Sequence, residues 1–403
     1  MTVFRPFTAL RYASESPMPH QIDDLIAPPY DVLSGDDRTA LELRSPHNSV
    51  RIDFPHGADD PGAYAAARAQ LDLWLATGVI VADSEPSFSV YRMTATDETG
   101  KTRQTTGVLG GLGLEPPGTG DVLPHEETTS KDKADRLNLI RATEVNTSPI
   151  WGLSLTPGLG AFLQELADRS SALAEGVDEE GVIHQVWRID APSDIAAITQ
   201  LAESAPVVIA DGHHRFETGL AYLAERGENP GGASGILALL VELADDQLVV
   251  RAIHRMVNFS AAIPDAQLVS RLAEFFELSE AQPVDSAVTE RMAASGSLTF
   301  FTGSGTWSGV PKPGAFADDV VLDSTRVRIA LAEIAPDADV KYQHSVNTVA
   351  RTVKDNGCHL GILLRPATVA QIRNVAHNRT RMPAKTTFFW PKPRTGVVFR
   401  SVQ

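Results

Sequence analysis

A mixed α/β fold, of the α/β or α+β kind, is what this 403-residue chain predicts. Two observations lead there. Short apolar runs rich in β-branched residues alternate along the chain with stretches of helical periodicity. Hydrophobic residues make up 43% and charged residues 21%, close to the averages of folded globular proteins. No internal repeat is evident.

The elements follow in chain order. Residues 63–77 carry Leu71, Leu73, Trp74 and Leu75 among small residues and predict an amphipathic helix. Residues 88–91 and 182–189 are apolar strand candidates, and so is 206–210, the run Pro206-Val207-Val208-Ile209-Ala210. A second helix is predicted from Arg215 through Ala224, stopped by Gly227 and Pro230. Strands are predicted at 236–241, 248–253, 298–301 and 396–399, with a further helix over 266–276 behind Pro264-Asp265.

This length exceeds the size at which one hydrophobic core usually stops growing, so two or three domains are expected. The Gly/Pro cluster from Glu115 to Gly120 and the stretch from Phe259 to Pro264 mark the boundaries. They divide the chain into 1–115, 116–260 and 261–403. The acidic segment Asp178-Glu179-Glu180-Gly181 reads as a solvated turn.

A formal charge of −16 repels polyanions and argues against a nucleic-acid partner. The strongest apolar run, 235–241, ends at Glu242 and is too short for a bilayer span, so no membrane partner is expected. The opening residues lack the apolar region of a secretory signal, and one cysteine, Cys358, forms no internal disulfide. A reducing cytoplasm is the expected compartment. Cys358, ahead of the apolar run 360–364, is expected to pack rather than react.

The most informative stretch is Asp211-Gly212-His213-His214-Arg215, set between a predicted strand and a predicted helix. The first turn of a helix offers backbone N–H groups and partial positive charge to an anion. Gly212 lets the backbone approach closely. Arg215 can grip phosphate oxygens with its planar fork, and His213 and His214 can donate hydrogen bonds or move protons. Asp211 could fix a histidine tautomer or hold Mg²⁺. The plain alternative has one histidine capping the helix, the other packing, and Arg215 on the surface.

A second constellation begins at His125-Glu126-Glu127 and continues through Lys131, Lys133, Asp135-Arg136-Leu137 and Arg141. A carboxylate here could serve as general base toward a hydroxyl. A helix N-terminus with solvated arginines explains the same residues. His125-Glu126 does not continue as the H-E-x-x-H zinc helix, since position 129 is threonine. Three further segments stand out: Ala27-Pro28-Pro29-Tyr30-Asp31-Val32, Asn146-Thr147-Ser148-Pro149-Ile150, and the loop from Met382 through Lys385-Thr386-Thr387 to Phe389. Lys385 could contact phosphate as a point charge, and His254-Arg255 could line the same cleft.

Taken together these motifs resemble an uncharacterised family, number 1015 among domains of unknown function. The pair H-E-E and D-G-H-H-R also resembles the core of free serine kinases built on the ParB and sulfiredoxin-like fold. That resemblance implies such a core at 116–260, with large flanking N- and C-terminal α/β regions. It implies ATP or ADP and Mg²⁺ as cofactors, and phosphoryl transfer to free L-serine or another small hydroxyl metabolite. Glu126 matches the glutamate that activates the hydroxyl, with Glu127 as the alternative if the match slips by one. Asp211 and His213 join the catalytic set, with Asp211 also as metal ligand. Gly212, His214, Arg215, His125, Arg136 and Lys385 fall to the nucleotide and its phosphates. Glu127, His254 and Arg255 fall to the acceptor. A nucleotide hydrolase or a nucleotide-gated regulatory protein remains the alternative. Oligomeric state stays open.

Overall fold

The computed structural model describes residues 2–13, 20–57, 61–97, 100–116, 118–124, 133–261 and 263–403, and they form the expected mixed α/β fold. The chain divides into two packing units, Met1–Val249 with Pro391–Gln403, and Val250–Trp390. No helix among the described residues is long and apolar enough to cross a membrane.

The first unit is built on a ten-stranded sheet. In chain order its strands are β1 (Phe4–Arg5), β2 (His20–Gln21), β3 (Phe88–Thr96), β4 (Thr102–Gly113), β5 (Val122–Pro124), β6 (Ile150–Ser154), β7 (Ala174–Val177), β8 (Ile183–Ile189), β9 (Val207–Asp211) and β10 (Gly235–Glu242). The spatial order is β2-β7-β8-β3-β4-β10-β6-β9-β5, with β1 paired to β4. The sequence-derived break at residue 115 falls inside this sheet, because β4 pairs antiparallel with β10 from Gly113↔Gly235 to Gly107↔Val241.

Central strands of such a sheet are covered on both faces, which accounts for their continuous apolar runs. Val207, Val208 and Ile209 of β9 are fully buried, each worth ~1.5–3 kcal/mol of apolar transfer. Helices α1 (Pro61–Ala76) and α2 (Lys133–Thr143) pack against each other, while α3 (Leu159–Asp168), α4 (Pro192–Glu203) and α5 (His213–Arg226) pack against the sheet. Leu163 of α3, Ile198 of α4 and Phe216 of α5 enter its main apolar core. A second sheet of four short strands joins Ile80–Ala82, Ala9–Tyr12, Phe399–Ser401 and Val145–Asn146.

The second unit carries a six-stranded sheet of β11 (His254–Asn258), β12 (Phe276–Glu280), β13 (Leu298–Phe301), β14 (Thr306–Pro311), β15 (Asp339–Gln343) and β16 (Leu360–Leu363). Its order is β12-β14-β13-β16-β11-β15. Leu268, Leu272, Phe300, Val327 and Ile362 share its core. Cys358 is buried just before β16, as its apolar setting predicts.

Two elements differ from the sequence reading. The helix predicted over 266–276 ends at Leu272, and Phe276 opens β12. The strand predicted at 396–399 begins only at Phe399. Gly396 takes φ +87°, and a Cβ there would lie 2.6 Å from that of Ser49, so the chain turns at Gly396 instead of joining the ladder.

Candidate functional site

β9 ends at Asp211, which pairs across with Trp151 of β6, and Gly212 turns the chain into α5. Gly212 has φ +88°, and a Cβ would approach Ile150 Cγ2 to 2.9 Å. Glycine satisfies both the backbone angle and the contact. The first helical bond of α5 runs from Phe216 N–H to the Gly212 carbonyl. The amides of His213, His214 and Arg215 therefore precede the helical ladder and form the positive end of the helix dipole.

Arg215 reaches back over this turn. Its Nη2 donates to Asp211 Oδ2 at 2.9 Å, and its Nη1 donates to Ser148 Oγ at 3.2 Å and to the Pro149 carbonyl. The other Asp211 oxygen, Oδ1, accepts from the Nζ of Lys392. Asp211 is thus flanked by two cations, its side chain 18% exposed beside Arg215 at 10% and Lys392 at 13%. Burial works to raise the Asp211 pKa, but Lys392 and Arg215 outweigh it and bring the carboxyl from its ordinary 3.8 to about 2. Burial likewise works to lower the pKa of Lys392, and Asp211 and Asp31 overcome it, so the ammonium is raised.

Two of the three further segments singled out in the sequence, around Tyr30 and around Thr147-Ser148, come to the same place, and so does Arg136. Tyr30, in the short turn Tyr30–Val32, lies under the Arg136 guanidinium, 3.9 Å from ring centroid to Cζ. Burial pushes the Tyr30 hydroxyl up to about 12 against the pull of Arg215 and Arg136. Arg136 is buried on α2, with Nη1 donating to the Asp53 carbonyl at 2.7 Å and Nε to Asp135 Oδ2 at 2.7 Å. Asp53 also accepts from Thr147 Oγ1 at 2.6 Å and from Thr395 Oγ1 at 3.3 Å. Asp53, Arg136, Thr147 and Arg215 line one side of a cavity of about 40 Å³ whose remaining wall includes Ile140 and Ile236.

His254, Arg255 and Lys385 belong to the second unit. His254 Nδ1 accepts from the Leu364 amide at 3.2 Å, and Arg255 donates to the Ile253 carbonyl at 2.6 Å and lies over the Tyr342 ring. Lys385 is exposed, at φ +59°. His125, Glu126 and Glu127, with Lys131, lie outside the described residues.

The Asp211 carboxylate, expected as a metal ligand, pairs with Arg215 through Oδ2 and with Lys392 through Oδ1. Among the described residues no group of three or more His, Cys, Asp or Glu side chains is placed to hold a metal ion. Asp178 does sit in a turn, closed by the Gly181 and Asp178 amides, but it is buried, accepting from Arg394 Nε and His184 Nε2 at 2.9 Å each. Lys392, Asp53 and Asp178 were not picked out as site residues from the sequence. For Lys392 the one local signal is its position between two prolines.

A strand-to-helix turn whose one carboxylate, Asp211, pairs with both Arg215 and Lys392 marks this mixed α/β protein. The chain belongs to the family described as a protein of unknown function (DUF1015), whose model matches residues 4–350. A comparison with curated proteins finds no match. Among solved structures, a conserved hypothetical protein from Pyrococcus furiosus is similar at TM-score 0.37 and 11% identity, over 68% of this chain and 90% of its own. A free serine kinase in complex with AMP is similar at TM-score 0.37 and 11% identity, over 67% and 83%. SbnI with a C-terminal truncation, from Staphylococcus aureus, gives TM-score 0.38 and 11% identity over 70% and 82%.

Proposed function

We propose that this protein transfers a phosphoryl group from ATP to the hydroxyl of a small metabolite, with free L-serine the first acceptor to test and O-phospho-L-serine its product. The observation that carries this reading is the convergence of Arg215 and Lys392 on Asp211 at the first turn of α5. Phosphoryl transfer asks a protein chiefly for positioning and for positive charge near the equatorial oxygens. Two cations beside the amides of a helix start supply both.

In this reading Gly212 admits the phosphates to the backbone, and His214 and Arg215 hold them. Asp211 acts as counter-ion to the two cations, and His213 stands close enough to add to the field that lowers its pKa. Glu126 takes the proton of the acceptor hydroxyl, an assignment that rests on the resemblance of H-E-E and D-G-H-H-R to the free serine kinases, as does the choice of serine. Mg²⁺, bound with the nucleotide, would neutralise phosphate charge.

The test is ADP formation by purified protein with ATP, Mg²⁺ and a panel of amino acids and hydroxyl metabolites. Serine is expected to raise ADP above background, and Glu126→Ala to abolish the increase. Absence of a serine response removes serine as acceptor. Phosphate release without any acceptor would make the protein a hydrolase.

A further inference from the structure

We infer that segment 391–396 completes the phosphate site: Lys392 contacts the nucleotide phosphates, and Arg394, held by a closed network of Tyr91, His184 and Asp178, positions it. The inference deepens the kinase reading and rests on it. Neither residue lies within the matched span 4–350.

Pro391-Lys392-Pro393 is stiff by its chemistry. Each proline fixes its own φ, and Pro393 pushes Lys392 toward extended backbone. Across residues 391–400 every residue is buried except Lys392, which is half-buried. The segment therefore offers one side chain, and that side chain ends on Asp211. Arg215 is tied to Ser148 and Pro149 as well as to Asp211, whereas a lysine ammonium is a compact charge on a flexible stem. Two cations in contact with one carboxylate leave room for a second anion, and Lys392 is the one built to swing to it.

Arg394 fixes where that stem begins. Its backbone N–H donates to Tyr91 Oη at 3.3 Å, and Tyr91 Oη lies 2.7 Å from His184 Nδ1. His184 Nε2 meets Asp178 Oδ2 at 2.9 Å, and Asp178 accepts in turn from Arg394 Nε at 2.9 Å. The ring closes on Arg394 with one consistent set of protons, histidine neutral and protonated on Nε2. Thr395 adds a two-way backbone bridge to Ala27 at 2.9 and 3.1 Å, three residues before Tyr30. Burying such a network costs desolvation that an apolar plug would avoid. What it returns is a fixed main chain two residues from Lys392.

The test uses the full chain and its Lys392→Met, Lys392→Arg, Arg394→Lys and double Lys392→Met/Arg394→Lys variants. ADP binding is measured by calorimetry, and turnover of ATP by ADP formation. Lys392→Met is expected to weaken ADP binding about tenfold or more, the loss of one charge-assisted contact, with Lys392→Arg recovering part. Arg394→Lys is expected to lower kcat/KM, and the double variant to be no worse than Lys392→Met alone. The rise in melting temperature produced by ADP, read for each variant against its own unliganded value, keeps the comparison valid if a variant is destabilised. Equal ADP binding by wild type and Lys392→Met overturns the Lys392 contact. Additive losses in the double variant overturn positioning by Arg394. Failure of the wild type to bind ADP would instead sink the kinase reading itself.

Discussion

Asp211 and Lys392 lie 181 residues apart in the chain and share an ion pair at the start of α5, while the second Asp211 oxygen holds Arg215. Removing the carboxylate charge leaves two half-buried cations facing each other. Asp211→Asn is expected to cost ~3 kcal/mol of stability and to abolish phosphate-dependent turnover. The sign of the pH effect follows from the carboxyl's fall from 3.8 to about 2. Its contribution is fully present above pH ~4 and is lost as pH falls toward 2. Urea unfolding between pH 5 and 2.5 should therefore be less steeply pH-dependent in Asp211→Asn than in wild type.

Gly212→Ala tests the turn itself. The substitution keeps every charge but imposes φ +88° on an L side chain and drives a Cβ into Ile150. A loss of ~1–2 kcal/mol is expected, because the backbone must shift to relieve the clash. Turnover should fall further than stability does, since the amides of His213 and His214 move with it. An alanine variant that melts lower yet turns over normally would show that phosphates are held elsewhere.

Arg136→Met tests the centre of the polar cluster. Arg136 is 5% exposed, stacks on Tyr30 and bonds both Asp53 and Asp135. Its removal strands carboxylates in a buried setting and is expected to cost ~3 kcal/mol. Arg136→Lys keeps the charge but loses the planar fork and much of the stacking, for about half that cost. The two denaturation midpoints, compared with wild type, separate charge from geometry. Equal loss in both variants would assign the whole effect to the guanidinium plane.

What could be read from sequence was local. The strand expected at 206–210, the glycine turn and the helix expected from Arg215 have local signals, and they form at Val207–Asp211, Gly212 and His213–Arg226. The segments around Tyr30, Thr147-Ser148 and Arg136 were legible as unusual, but their convergence on Arg215 depends on sheet pairing that no local pattern encodes. Lys392 was invisible for the same reason: a lysine between prolines reads as a surface loop until Asp211 is placed beside it. Asp178 misled because a run of acids does mark a turn, while its burial is set by Arg394, 216 residues away. His254, Arg255 and Lys385 look like cleft residues because cations beside strands so often are. Their bonds to Leu364, Ile253 and Tyr342 account for the first two in packing terms.

His254 supplies a pH test confined to the second unit. Burial, with Arg255 and His344 adding to it, lowers the imidazole from its ordinary 6.5 to about 4. Its Nδ1 accepts the Leu364 amide, so the folded form keeps it neutral with the proton on Nε2. The unfolded chain takes up a proton near pH 6.5 and the folded chain only near 4, so stability falls as pH drops through that window. The loss amounts to ~3 kcal/mol in all. Asparagine at this position presents an oxygen to the same amide and has no proton to gain. Hydrogen exchange across Leu360–Leu364, compared between wild type and His254→Asn at each pH, should diverge from pH 7 to 5, with the wild type losing protection and the variant losing less. Parallel curves would place the titrating group elsewhere in the unit.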